Sequence, residues 1–133
     1  MRGLDTNVLV RFLLADDRRQ FAAAKAAIAH AINAGEPLVV SLLVILETEW
    51  VLRSNAGLNK AELLGIFKHL LESGDLTFES EEVIEHALAL FENSNADFAE
   101  CLMMAHYQRL GCRSMLTFDM KASRVPGAEL LAV

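Results

Sequence analysis

Apolar and polar positions along the chain follow two alternating periods, which predicts short strands separated by helices. Short strands are predicted at residues 2–4, at the apolar run 38–40, at the alternating segment 76–78 and at 114–117, and a last short strand is expected in the tail at 125–133. Between them, apolar residues recur at the three- and four-residue spacing of amphipathic helices. The predicted helices cover residues 6–14, 18–34, 44–53, 59–71, 81–91 and 97–110.

Local sequence signals support several of these boundaries. Asp17 with Gln20, and Asn59 with Glu62, have the spacing of capping boxes that open helices. Strands separated by helices predict a parallel sheet covered by helices on both faces. Without an internal repeat or linker, residues 1–133 are expected to form a single domain. The predicted fold class is therefore α/β, a three-layer α/β/α domain with a short central parallel sheet.

The amino-acid composition indicates the cellular compartment in which we expect the protein. Apolar residues make up 53% of the chain, but charged residues interrupt every stretch that could approach the roughly 20 residues of a membrane span. The N-terminus lacks the apolar core of a signal peptide. Cys101 and Cys112 are too few for a disulfide framework or a zinc site, so we expect a reducing cytoplasm and no membrane association.

Net charge restricts how nucleic acid could bind. The chain has 12 Lys and Arg against 18 Asp and Glu, whereas proteins that hold nucleic acid through phosphates usually present a basic face. Nucleic acid would therefore have to be bound through a metal ion, through a small basic patch on this chain or through a basic partner protein. Such a patch could form from four arginines, which could equally be solvated surface residues: Arg11, Arg18, Arg19 and Arg53.

Acidic residues recur where predicted strands end and helices begin. They are Asp5, Glu47, the pair Asp97 and Glu100, and Asp119. The carboxyl ends of strands in an open parallel sheet share one edge, so these acids can converge on one crevice. Carboxylates gathered there repel each other unless a cation lies between them. Ligands that are all oxygen favour Mg²⁺ or Mn²⁺ over zinc.

Most of these acids also have a structural explanation. Asp5 and Asp119 could cap the helices that follow them. Asp97 and Glu100 have the spacing of a capping box. Glu47 differs, because its spacing from Leu43, Trp50 and Val51 places it on the predicted buried face of its helix, where an unpaired carboxylate costs several kcal/mol. Glu47 therefore needs a partner or a crevice, whereas Glu49 is expected to be solvated.

Four segments together resemble the PIN-domain proteins, particularly VapC-type toxins of bacterial type II toxin-antitoxin modules. They are residues 3–11 with Asp5-Thr6-Asn7, the helix at 41–52 with Glu47, residues 96–102 with Asp97 and Glu100, and Leu116-Thr117-Phe118-Asp119. The resemblance covers nearly the whole chain, and its specificity comes from the combination of segments. It implies a metal-dependent endoribonuclease, a homodimer and a VapB-type antitoxin that blocks the site.

The resemblance also assigns roles to individual residues. It implies Asp5, Glu47 and Asp119 as catalytic acids and leaves the third acid open between Asp97 and Glu100. Relatives usually have a second Asp at the position of Glu100. Four of these acids would hold Mg²⁺ or Mn²⁺: Asp5, Asp97, Glu100 and Asp119. Three residues are expected to support the site, of which Thr6 and Asn7 would shape the loop and Thr117 would provide a hydroxyl near Asp119.

The expected reaction is hydrolysis of an RNA phosphodiester. A bound divalent ion stabilises charge on the phosphoryl oxygen and lowers the pKa of its water. Single-stranded or looped RNA is the expected substrate, because a recessed acidic crevice approaches duplex phosphates poorly. Histidine catalysis is not expected, because the four histidines lie inside predicted helices without suitable spacing: His30, His69, His86 and His106.

Two other functions remain open at this point. One is a non-catalytic PIN module that binds RNA or protein, which the acidic balance and the Glu at position 100 leave possible. The other is a DNA-directed or flap nuclease, although the chain lacks room for the insertions such enzymes use.

The apolar helices at 63–71 and 83–91 predict excess apolar surface, which a homodimer would cover.

Overall fold

The structure, a computed structural model, describes all 133 residues in two compact units, Met1–Ser80 and Glu81–Val133. The first unit contains a parallel sheet of three strands in the order β1-β2-β3: Arg2–Gly3, Leu38–Val40 and Thr77–Phe78. Its four helices are α1 (Thr6–Leu14), α2 (Arg18–Ala34), α3 (Leu42–Ser54) and α4 (Lys60–Ser73). Helix α1 packs against α2 and α3.

Capping interactions explain where the helices of this unit begin. The Asp17 carboxylate accepts hydrogen bonds from two backbone N–H groups of the first turn of α2, and Asn59 and Glu62 form a reciprocal capping box on α4. Ser41 Oγ accepts from the backbone N–H of Val44 at 3.1 Å. Helix α3 therefore begins at Leu42, two residues before the predicted start, because Ser41 satisfies an amide of its first turn.

The second unit consists of α5 (Glu81–Glu92), α6 (Phe98–Arg109), β4 (Met115–Thr117) and β5 (Ala128–Leu130). The two strands pair in parallel, and α5 packs closely against α6. The rings of Phe91 and Phe98 meet edge to face with their centroids 5.6 Å apart, which fixes the end of α5 against the start of α6. A short 3-10 turn at Ala122–Arg124, which the sequence pattern did not predict, precedes β5.

The α/β fold class with a short parallel sheet is confirmed, and the predicted helices and strands all form within two residues of their expected ends, apart from the strand expected somewhere in 125–133. That strand is confined to Ala128–Leu130. None of the helices combines the length and apolarity that crossing a bilayer requires.

One premise of the homodimer prediction is wrong. Helices α4 and α5 bury their large apolar side chains instead of exposing them. The buried set is Leu63, Phe67, Leu70, Val83, Ile84, Leu88 and Phe91. Exposed apolar surface lies elsewhere in the first unit, on α3, where Leu43 is 77% and Trp50 is 54% exposed.

Candidate active site

Asp5 occupies the N-cap position of α1, directly after β1, but its side chain forms no capping hydrogen bond. Only its backbone carbonyl oxygen contacts the helix, by accepting from Val8 and Leu9. The carboxylate is exposed and lies at the positive end of the helix dipole. The capping explanation for Asp5 is therefore wrong, and the carboxylate is free to bind a cation.

Glu47 is exposed, which contradicts the prediction that it lies on the buried face of α3. The residues predicted to share that face are not buried either: Leu43 and Trp50 are exposed, and Val51 is half-buried. The buried face is instead formed by Leu42, Ile45, Thr48, Glu49 and Leu52. Helix α3 is apolar on several sides, so residue spacing alone did not identify the face that packs.

Glu49 is the buried acid of α3, although the sequence pattern predicted it to be solvated. Its side chain is 2% exposed. Arg53 Nε donates to Glu49 Oε2 at 2.9 Å, and Arg53 Nη2 lies 3.4 Å from Oε1. Glu49 and Arg53 are four residues apart, which is the spacing at which oppositely charged side chains pair along a helix. This spacing could have identified Arg53 as a partner of Glu49 from the sequence.

Asp97, Glu100 and Asp119 in the second unit do have structural roles. Glu100 Oε2 accepts from the backbone N–H of Asp97 at 2.9 Å, which caps α6. Asp119 Oδ1 accepts from the backbone N–H groups of Lys121 at 2.7 Å and Ala122 at 3.1 Å. These bonds use one oxygen of each carboxylate and leave Glu100 Oε1 and Asp119 Oδ2 without a hydrogen bond to the backbone.

The second unit also brings Glu100 and Asp119 within hydrogen-bonding reach of each other. Burial raises the pKa of Glu100 above its usual 4.5, and the charges of Asp119 and Asp97 raise it further. The pKa of Asp119 is lowered below its usual 3.8, first by the Ala122 and Lys121 amides. Glu100 therefore binds a proton more readily than an ordinary glutamate, and Asp119 binds one less readily than an ordinary aspartate.

The supporting residues lie close to these acids in the chain. Thr117 Oγ1 accepts from the backbone N–H of Asp119 at 3.0 Å, which agrees with a hydroxyl that supports this acid. Thr6 and Asn7 form the first turn of α1, directly after Asp5. Thr6 is buried, whereas Asn7 is exposed.

Glu79 is an acid at the sheet edge that the sequence analysis did not identify. It follows β3 directly, and its Oε1 accepts from the backbone N–H of Leu42 at 2.8 Å, so it helps Ser41 to cap α3. The sequence contained a signal for this acid, because Glu79 directly follows the strand predicted at 76–78. Because Glu79 binds this amide of α3, its role is structural.

The donor chemistry of the candidate acids fits a hard divalent ion. Each candidate offers carboxylate oxygens, which suit Mg²⁺ or Mn²⁺, and the mutual repulsion of Glu100 and Asp119 would be relieved by a cation. The structure contains no group of three or more His, Cys, Asp or Glu arranged to hold a metal. All four histidines lie inside helices, as predicted.

Comparison with known proteins identifies the family. No curated protein matches the chain. The sequence profile of the PIN domain matches residues 4–128, a span that begins just before Asp5 and includes every candidate acid. Because the match covers nearly the whole sequence and agrees with the α/β architecture, the chain belongs to the PIN domain family.

Proposed function

We propose that this protein is a divalent-metal-dependent endoribonuclease and the toxin of a type II toxin-antitoxin pair. PIN domains are generally nucleases, which supports the reaction class. The observation that carries the proposal is the PIN-domain match over residues 4–128, which includes every candidate acid. Glu100 of α6 and Asp119 after β4 add support, because two neighbouring carboxyl groups are an electrostatic cost that a bound cation offsets.

Within this proposal each acid has a defined task. Four carboxylates would hold Mg²⁺ or Mn²⁺: Asp5, Asp97, Glu100 and Asp119. When bound, the ion supplies charge stabilisation at the phosphate and a water of lowered pKa. Asp119 is held in place by the amides of Lys121 and Ala122, which limits its rotation. Glu47, exposed and without an ion-pair partner, would orient the attacking water by accepting its hydrogen bond.

The proposed substrate is single-stranded or looped RNA. Carboxylates dominate the candidate site and the chain has a net charge of −6, so phosphates can approach only where a cation or a local basic group offsets the repulsion. A flexible strand can present one phosphate to such a site, whereas a duplex presents many at once.

The test compares two N-cap aspartates. Asp5→Asn removes a carboxylate that makes no capping bond, whereas Asp17→Asn alters one that caps α2 through two amides. Asn and Asp cap about equally well, so both variants should fold. We expect Mg²⁺- or Mn²⁺-dependent RNA cleavage that stops with EDTA, falls at least about a hundredfold in Asp5→Asn and persists in Asp17→Asn. Cleavage by highly pure protein in EDTA would refute the proposal.

We further propose that the protein forms a homodimer, which the resemblance to VapC-type toxins implies. Light scattering at micromolar concentration should give a dimer mass. A wild-type monomer would refute this proposal and leave the nuclease proposal intact.

The proposed regulator is a VapB-type antitoxin that blocks the site. The support is the resemblance of the segments around Asp5, Glu47 and Asp119 to VapC-type toxins. A short neighbouring reading frame that encodes a DNA-binding protein, whose product copurifies with this chain and inhibits cleavage, is the expected result. A neighbour without inhibitory activity would contradict the toxin role and leave the nuclease proposal intact.

A non-catalytic RNA-binding PIN module is the second candidate. It is supported by the acidic balance of the chain and by the Glu at position 100, where relatives usually have Asp. Such a module would bind RNA in EDTA with the same affinity as in Mn²⁺ and cleave nothing. Thermal stabilisation of the wild type by Mn²⁺, absent in Asp5→Asn, would exclude it.

A further inference from the structure

A cavity of about 320 Å³ opens between α1 and α2 of the first unit, beside the segment that carries Asp5. Its apolar lining is formed by Val8 of α1 and by Ala23, Ala24 and Ala27 of α2. Its volume lies at the lower end of the roughly 300–1,000 Å³ range of ligand pockets, which suits one flat ring system.

The lining of this cavity also includes three polar residues, Asn7 and Arg11 of α1 and Gln20 of α2. Arg11 Nε donates to Gln20 Oε1 at 2.7 Å, and Arg11 Nη1 donates to both oxygens of Asp16 at 3.0 and 3.1 Å. These bonds fix the guanidinium group while its Nη2 donors and the exposed Asn7 amide have no partner within the protein. The cavity therefore combines an apolar wall with oriented, available hydrogen-bond donors.

Positive charge lies next to this cavity in an otherwise acidic chain. Arg18 and Arg19 are the first two residues of α2, directly before Gln20, and both are exposed without an ion pair. Cations at a helix N-terminus oppose the dipole, at about 0.3–1 kcal/mol each, and the acid at this N-terminus is the capping Asp17. Arg18 and Arg19 therefore do not stabilise α2 through its dipole, and as exposed cations they would attract phosphates.

We propose that the cavity binds one base of an RNA strand, with Asn7 contacting the base edge and Arg18 and Arg19 contacting flanking phosphates. This inference rests on the proposed ribonuclease function, because Asn7 follows Asp5 by two residues and a base held there belongs to a nucleotide near the cleaved bond. A base supplies acceptors for the amide and guanidinium donors and a flat face for the alanine wall. An apolar side chain from a protein partner would leave those donors unpaired.

The test measures binding without catalysis. Nucleoside 5′-monophosphates with each of the four bases are titrated in EDTA and followed by NMR. We expect saturable shifts at the Asn7 side-chain amide and the backbone of residues 23 and 27, with a preference for one base. Ala27→Leu fills the cavity from an exposed helical position and should weaken binding at least about tenfold, whereas Ala26→Leu, also exposed but outside the cavity, should not.

Three outcomes would overturn the inference: shifts confined to other residues, unchanged affinity in Ala27→Leu, or stronger binding of N-acetyl-phenylalanine amide than of any nucleotide. The last would identify a pocket for a protein side chain. The nuclease proposal can fail without this inference failing. If the protein binds nucleotides in this cavity but cuts no RNA, the base site is supported and only the cleavage is refuted. In an active protein, Ala27→Leu should also weaken base preference among cleaved bonds.

Discussion

The guanidinium group of Arg53 reaches back one turn of α3 and binds the carboxylate of Glu49, which is 2% exposed while Arg53 is 48% exposed. The pair places a charged group inside the first unit and leaves its partner at the surface. Such an arrangement satisfies the buried carboxylate at the cost of ordering a long side chain.

Removing Arg53 should destabilise the fold because Glu49 would lose this charged partner. We expect Arg53→Met to lower the free energy of unfolding by about 2 kcal/mol, less than for a fully buried pair because Arg53 is half exposed. Urea denaturation measures the change. The control is Arg109→Met, which breaks the surface pair of Arg109 and Glu82 at 3.3 Å and should cost less than about 1 kcal/mol. Equal losses in the two variants would contradict the role of the pair.

Thr48 lies beside this pair on the buried face of α3, and its hydroxyl oxygen has no hydrogen-bond partner. Thr48→Val keeps the shape and removes the unsatisfied polar group. We expect a gain in unfolding free energy of about 1 kcal/mol, measured by urea denaturation. Thr48→Ser, which keeps the hydroxyl and deletes a buried methyl group, should lose stability instead. A destabilised valine variant would mean that the hydroxyl has a partner in solution.

The raised pKa of Glu100 predicts a pH dependence of stability in EDTA. An acid whose pKa is higher in the folded than in the unfolded protein contributes stability fully below its unfolded pKa. That contribution is lost as pH rises from the usual 4.5 through the higher folded value. Glu100→Gln should remove this decline, visible in unfolding curves taken across that window, whereas the exposed Glu85→Gln should preserve it. Asp119 acts oppositely, because its lowered pKa makes its contribution fall only in acid.

The third catalytic acid can be assigned by comparing Glu100→Gln with Asp97→Asn. Glu100 is half-buried and interacts electrostatically with Asp119, whereas Asp97 is exposed at the N-cap of α6. We therefore expect Glu100→Gln to cause the greater loss of cleavage and the greater loss of Mn²⁺-induced thermal stabilisation. Equal residual activity in both variants would show that neither is the third acid.

The sequence by itself determined the helix boundaries to within two residues and the alternation of strands and helices along the chain. Asp17 and Asn59 accept hydrogen bonds from amides two or three residues away, so the signal and its effect lie in the same short segment. The sequence also predicted that Asp5 and Asp119 follow strands, because the predicted strands at 2–4 and 114–117 end just before them.

Only the tertiary structure decided which side of α3 is buried, and hence that Glu49 and not Glu47 is the enclosed acid. Apolar residues occur around much of this helix, so the choice depends on α1 and α4, which pack against it from distant parts of the chain. The coupling of Glu100 to Asp119 and the cavity between α1 and α2 likewise arise from segments that meet only after folding. Local capping needs neighbours within one turn, whereas burial, repulsion between carboxylates and cavity shape depend on contacts between residues far apart in sequence.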